Sequence, residues 1–285
     1  MSTTNKPPSD TELRAMVREA LQDALNQREP RRTQRVATSP SLSRAVRKPL
    51  PPPLCRTAVD ALKRATPSRI VQGRTGTRYL TDTYIGLRAD HAIALDAVHS
   101  ELPEDFASAQ GWLSLTSQAQ EHDEYLLHPD LGRRLSEASR QRLRQEGTVG
   151  ADVQIVAGDG LSAYALTQNG PALVQALEHA LQAAGFKLGR TVCVRFARVG
   201  IQDDIGVTLN AKCTAIIVGE RPGLGTGDSL SIYTAYGPKL GQDNSEKDCI
   251  SNVRGLGLSS DEAARRCAEL LKATFVNGGG GVKLV

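Results

Sequence analysis

The sequence predicts an α/β fold: a mainly parallel sheet, preceded by a helical region and a disordered basic tail. Three observations carry this expectation. Four short apolar runs, Val153–Ala157, Thr191–Phe196, Cys213–Val218 and Leu230–Ala235, have the length of buried strands rather than helices. Helical patterns lie around and between them, the alternation that a parallel sheet with covered faces requires. Residues 28–53 are rich in Arg, Ser and Pro, a composition that cannot bury a core and reads as a linker.

The 285 residues suffice for one large domain or two small ones, and with 40% hydrophobic residues most of the chain can be packed. Aromatics at 4% argue against a base-stacking nucleic-acid platform. The formal charge is +4, but the first 54 residues hold ten Lys or Arg and five Asp or Glu, so the excess sits in the tail. Five cysteines, odd in number and without C-x-x-C spacing, fit neither a zinc knuckle nor a disulfide framework. Met1–Glu12 contains no apolar signal core, and no run approaches the roughly 18 apolar residues of a membrane span. A reduced, cytoplasmic setting is the expectation, with no membrane and no nucleic-acid partner.

Residues 1–54 form the tail. Within it, Leu13, Met16, Val17, Ala20, Leu21, Ala24 and Leu25 mark one apolar stripe on an amphipathic helix over about residues 10–26. Ser9 and Glu12 offer it a capping box. A stripe on a tether has no local surface to cover, so it wants a partner groove. Residues 55–150 read as mainly helical: Thr57–Ala65 closed by Pro67, then Thr83–Val98 and Leu131–Gln145, with turns at Gly73–Gly76 and Pro103–Phe106. Residues 151–285 carry the four strands. A helix over Pro171–Ala184 is expected to take Asn169 as its cap, and Ser259 with Glu262 opens a closing helix to about Val276.

Two glycine-bearing runs follow strands. Gly158-Asp-Gly-Leu-Ser-Ala163 has the G-x-G-x-x-A form. Alone it is a weak dinucleotide signal, and the acidic residue that should end the next strand to grip a ribose is missing. The glycines are better explained by a sharp turn that leaves room for something close by. Gly219-Glu-Arg-Pro-Gly-Leu-Gly225 is richer, since it sets Glu220 and Arg221 just past a strand in a wall poor in side chains. It lacks a P-loop lysine, and a ligand or subunit surface is expected there. Cys249 has no histidine base in the strand-end loops, so it reads as a small packing residue rather than a nucleophile.

These runs together resemble the small (light) subunit of ethanolamine ammonia-lyase. The likeness is carried by Gly73-Arg-Thr-Gly76, Ala89-Asp-His91, Pro129-Asp-Leu-Gly-Arg-Arg134, Asp152-Val-Gln-Ile-Val156, Gly158-Asp-Gly-Leu-Ser162 and Arg198-Val199. It continues through the Gly219–Gly225 run, Ser229-Leu-Ser231 and Cys249-Ile-Ser-Asn252, in order from about Cys55 to Val276. The resemblance implies a variant Rossmann-like domain in an adenosylcobalamin-dependent carbon–nitrogen lyase that turns ethanolamine into acetaldehyde and ammonia. It implies cobalamin contacts at Val199, Glu220 and Cys249, with no catalytic residue and no metal ligand in this chain. The implied partner is the large subunit, which holds substrate, in a hetero-oligomer of six large and six small chains. In some members of the family the N-terminal helix directs the enzyme into a bacterial microcompartment. Two alternatives stay open from the residues alone: a dinucleotide-binding oxidoreductase and a scaffold subunit without ligand.

Overall fold

A computed structural model describes residues 55–66 and 68–284; the helix expected over residues 10–26 lies outside them. The described residues divide into two units, the first ending at residue 70 and the second starting at residue 71. In the first, helix α1 (Arg56–Ala65) falls where its apolar spacing predicts and buries none of its residues.

The second unit opens with a hairpin, β1 (Arg74–Thr75) and β2 (Arg78–Tyr79), turning at Gly76 with φ +60°. Helix α2 (Thr81–Val98), the short α3 (Phe106–Ala109), strand β3 (Leu113–Thr116), α4 (His122–Leu127) and α5 (Glu137–Glu146) follow. Then come β4 (Val153–Gly158), α6 (Ala163–Ala183), β5 (Val192–Arg195), α7 (Ile201–Leu209), β6 (Cys213–Gly219), β7 (Leu230–Tyr236), β8 (Lys247–Val253) and α8 (Ser260–Asn277). Six strands form one sheet in the order β3-β5-β4-β6-β7-β8.

The sheet is mixed: its pairings are parallel at one side and antiparallel at the other. β3, β5, β4 and β6 run parallel, whereas β7 and β8 each pair antiparallel to their neighbour. Chain length explains the reversal. Only residues 220–229 link β6 to β7, too few for the helical crossover that a parallel return needs.

Alternation within the strands builds a core on each face. Val153, Ile155 and Ala157 of β4 pack with Leu166, Leu173 and Leu177 of α6 and with Cys267 and Leu271 of α8. Val156 points the other way, to Leu143 of α5 and Ile201, Ile205 and Leu209 of α7. Both faces are therefore covered, which is why these strands read as continuous apolar runs.

Three local expectations are corrected. Helix α6 starts at Ala163, not at Pro171, and its cap is Ser162, whose hydroxyl accepts the Ala165 N–H at 3.1 Å. Proline tolerates this interior place because Ala163, Ala165 and Leu166 are held in the core ahead of it. Asn169 caps nothing; its amide donates to the Asp228 carbonyl at 2.7 Å and ties α6 to the β6–β7 loop. The helix expected over Leu131–Gln145 is a single 3-10 turn, Leu131–Arg133, and then α5, capped by Ser136. Finally, β3, α7 and β8 have no counterpart in the sequence reading, and β3 arises inside the stretch read as mainly helical.

Candidate functional site

The parallel strands β4, β5 and β6 end together at Gly158, Arg195 and Gly219, where open α/β sheets place their ligands. Asp159 fastens this edge. Its carboxylate accepts the backbone N–H groups of Phe196 at 2.6 Å and Ala197 at 2.8 Å, and Phe196 adopts a left-handed φ of +56°. Burial pushes the Asp159 carboxyl up to about 6 even though the N–H groups of Ala197, Phe196 and Gly160 favour its charged form. Gly160 has φ +60°, and a Cβ there would strike the Gly219 carbonyl. A Cβ on Gly219 would in turn strike the carbonyls of Ser162 and Asp159. The close neighbour that these glycines admit is thus the protein's own backbone.

Beyond this junction opens a cavity of about 380 Å³ lined by Tyr125, Arg198, Val199, Glu220, Tyr233 and Ser251 among others. The Tyr125 hydroxyl lies 2.5 Å from the Gly160 carbonyl and 2.9 Å from that of Ala197, and burial raises its pKa strongly. The Arg198 guanidinium stacks 4.2 Å over the Tyr125 ring and donates through Nη2 to the Tyr125 carbonyl at 3.0 Å. Its Nε is buried and has no hydrogen-bond partner among the described residues. Glu220 Oε1 accepts from the Ser231 hydroxyl at 2.5 Å and from the Asn252 N–H at 2.8 Å. Asn252 has φ +61°, so a left-handed residue that is not glycine precedes the lining residue Ala197 and another follows the lining residue Ser251. Such backbone persists only where its surroundings over-determine it, and it clusters at functional sites.

Val199 and Glu220 come from separate loops and line the same cavity. Cys249 does not line it. It lies on β8 directly opposite Tyr233, two residues before Ser251, and both of those do line it. Cys249 is exposed, so it is not the small packing residue that the sequence suggested. Partial burial raises its thiol pKa, with hydrogen bonds from Tyr233 and Ser231 working the other way, so the thiolate is not favoured. Across from it, burial and the Cys249 contact push the Tyr233 phenol up to about 12. Tyr125, Tyr233 and Ser251 were not singled out from sequence. Only the period-2 register of β7 could have placed Tyr233 on the same face as Ser231.

A dinucleotide is poorly served here. The N-terminus of α6 behind the Gly158–Gly160 turn is capped by its own Ser162, whose hydroxyl also donates to the Gly227 carbonyl at 2.6 Å. β5 ends in Arg195, not an acid.

The model of one protein family, ethanolamine ammonia-lyase light chain (EutC), matches residues 56–285. The chain belongs to this family. Its relatives include proteins named ethanolamine ammonia-lyase small subunit. The one from Clostridium acetobutylicum is 39% identical over 226 residues, covering 79% of this chain and 93% of the relative. That from Clostridium perfringens is 36% identical over 232 residues, covering 81% and 79%. That from Fusobacterium nucleatum subsp. nucleatum is 38% identical over 210 residues, covering 74% and 71%. The family match spans every element of the second unit. Among the described residues, no helix is long and apolar enough to cross a membrane.

Proposed function

We propose that this chain is the small subunit of an adenosylcobalamin-dependent ethanolamine ammonia-lyase and that its strand-edge cavity supports the cobalamin, while a large subunit holds the substrate. The observation that carries this reading is the meeting of Val199 and Glu220 in one cavity, in a chain of the light-chain family. The donor set fits the cofactor. A corrin edge carries many amides, each needing both donors and acceptors. The cavity offers the Glu220 carboxylate, the hydroxyls of Tyr233 and Ser251, and the Arg198 guanidinium. Cys249 sits at the rim, beside Tyr233 and Ser251.

When bound, the cofactor supplies a homolysable carbon–cobalt bond and with it the radical chemistry of deamination. The residues of this chain place and shelter it. Val199 gives an apolar contact, Glu220 holds the β7–β8 edge in register, and Arg198 with Tyr125 forms a flat, stacked wall that keeps water out. On this reading the sheet is a Rossmann-like variant extended at one edge through the antiparallel pairings of β7 and β8, and the assembly has six large and six small chains. The setting is cytoplasmic, and residues 10–26 direct the enzyme into a microcompartment where the host builds one. A fluorescent fusion lacking residues 1–30 tests that last point; unchanged localisation ends it.

The decisive experiment measures ethanolamine deamination with adenosylcobalamin for this chain, for a cognate large subunit, and for the mixture. Activity is expected only in the mixture. Two folded proteins that stay inactive together overturn the proposal.

A further inference from the structure

Helix α2 has its amphipathic pattern reversed. It runs for 18 residues, about 27 Å, and buries only Ala97. By the helical repeat its inner side carries Thr83, Gly86, Leu87, Ala94 and Ala97, small residues for the most part and all but Ala97 only half-buried. Tyr84, Ile85, Ile93 and Leu95 are exposed, Ile85 by 58%. With Tyr79 of β2 they make five of the sixteen exposed large hydrophobics among the described residues, gathered within residues 79–95. A surface helix ordinarily turns its large apolar side chains to the core, and a cluster left outside marks an interaction surface. Two of these rings are held in advance. Arg74 lies 4.5 Å over the Tyr79 ring and donates to its hydroxyl at 3.1 Å, and Arg88 lies 6.0 Å over Tyr84. Such pre-ordering lowers the entropy lost on binding. Residues 71–98 hold three Arg, three Asp and neither Lys nor Glu. That balance offers no field for a nucleic acid, whereas Tyr and Arg without Lys or Glu is the composition of a protein interface core.

The last turn of α2 lies against the wall of the strand-edge cavity. A Cβ on Gly227, in the loop that carries Glu220, would come within 2.9 Å of the Ala97 Cβ. His122 Nε2 sits 2.9 Å from the Val98 carbonyl, and its ring centroid is 6.3 Å from that of Tyr125, which lines the cavity. A partner that covers the cavity mouth therefore meets α2 at its edge. We propose that the outer face of α2, together with the β1–β2 hairpin, is the surface on which the large subunit docks, with Tyr84, Ile85 and Leu95 seated in an apolar groove of that subunit. The inference rests on the small-subunit reading above: a subunit that presents substrate to a cofactor in the cavity covers its mouth, and α2 is the unpartnered apolar element that adjoins it.

The test titrates a cognate large subunit with the full chain by calorimetry, with thermal melts to check folding. Tyr84→Ala and Ile85→Asp are each expected to weaken association about thirtyfold or more, the loss that a hot-spot residue brings, with Tm unchanged. Leu95→Asp probes the same surface should either variant fail to fold. Val276→Asp, at an apolar position of α8 that is 85% exposed, should bind as the unaltered chain does. Once the large subunit is saturating, the α2 variants should deaminate ethanolamine at the rate of the unaltered complex, because the cavity is intact. Normal affinity in folded α2 variants overturns the docking surface, and so does an equal loss in Val276→Asp. A rate still lowered in the saturated complex places the defect in the cavity and overturns it as well. Self-association of this chain that Ile85→Asp abolishes, with large-subunit affinity unchanged, assigns the surface to a second copy instead. Failure of the unaltered chain to bind the large subunit at all removes the small-subunit reading itself, and this inference with it.

Discussion

Glu220 and Asp159 are both carboxylates at strand ends, yet the fold uses them differently. Glu220 accepts from a hydroxyl on β7 and from the strained Asn252 N–H on β8 while lining the cavity. Glu220→Ala leaves that N–H and hydroxyl without an acceptor, which typically costs about 1–3 kcal/mol. The expected result is a cobalamin affinity lowered roughly tenfold or more in the complex with the large subunit. Near-normal affinity counts against the site. Asp159 is buried and its pKa is raised from 3.8 to about 6. The folded state then holds a proton that the unfolded chain releases between these values. Its stabilising contribution is full below pH 4 and is lost as pH rises through about 6, by at most about 3 kcal/mol. Thermal melts from pH 4 to 6.5 should show the chain losing stability on this account, and Asp159→Asn should flatten that decline. Parallel profiles for the two proteins would show that Asp159 does not titrate there.

Two contacts between elements make predictions of their own. The edges of β4 and β6 approach backbone to backbone at Gly160 and Gly219, so a methyl group at either place must push strands apart. Gly219→Ala is expected to lower stability by about 1–3 kcal/mol or more, as overpacking does, read as a fall in Tm. An unchanged Tm would mean that this junction yields. At the other end of the sheet, Lys247 of β8 reaches Asp203 of α7 at 2.9 Å in a pair almost wholly out of water. Lys247→Met leaves a buried carboxylate without its partner, a loss of about 3–5 kcal/mol that denaturant unfolding would report. Sequence patterns showed neither contact. Lys247 and Asp203 are 44 positions apart, and nothing local marks either as buried.

The second unit is built on a six-stranded sheet covered on both faces, and under the proposed function it supports a cofactor rather than carrying the chemistry. The family match begins at residue 56, just past the basic tail. Chains lacking residues 1–54 are therefore expected to form active lyase with a large subunit as the full chain does; a loss of reconstituted activity would bring the tail into the assembly itself.

By itself the sequence determined the α/β class, four of the six strands of the main sheet, the closing helix with its Ser259 cap, the family, and the loops that carry Val199 and Glu220. Each of these rests on local information: periodicity, caps, and motifs read within a few residues. Only the tertiary structure decided that β7 turns back antiparallel between β6 and β8 and that α6 runs through Pro171. It alone brought Tyr125, Arg198 and Tyr233 to the same cavity as Glu220. Those outcomes depend on which distant residues a strand or ring meets once the core closes, and that is a property of packing between segments rather than of any segment alone.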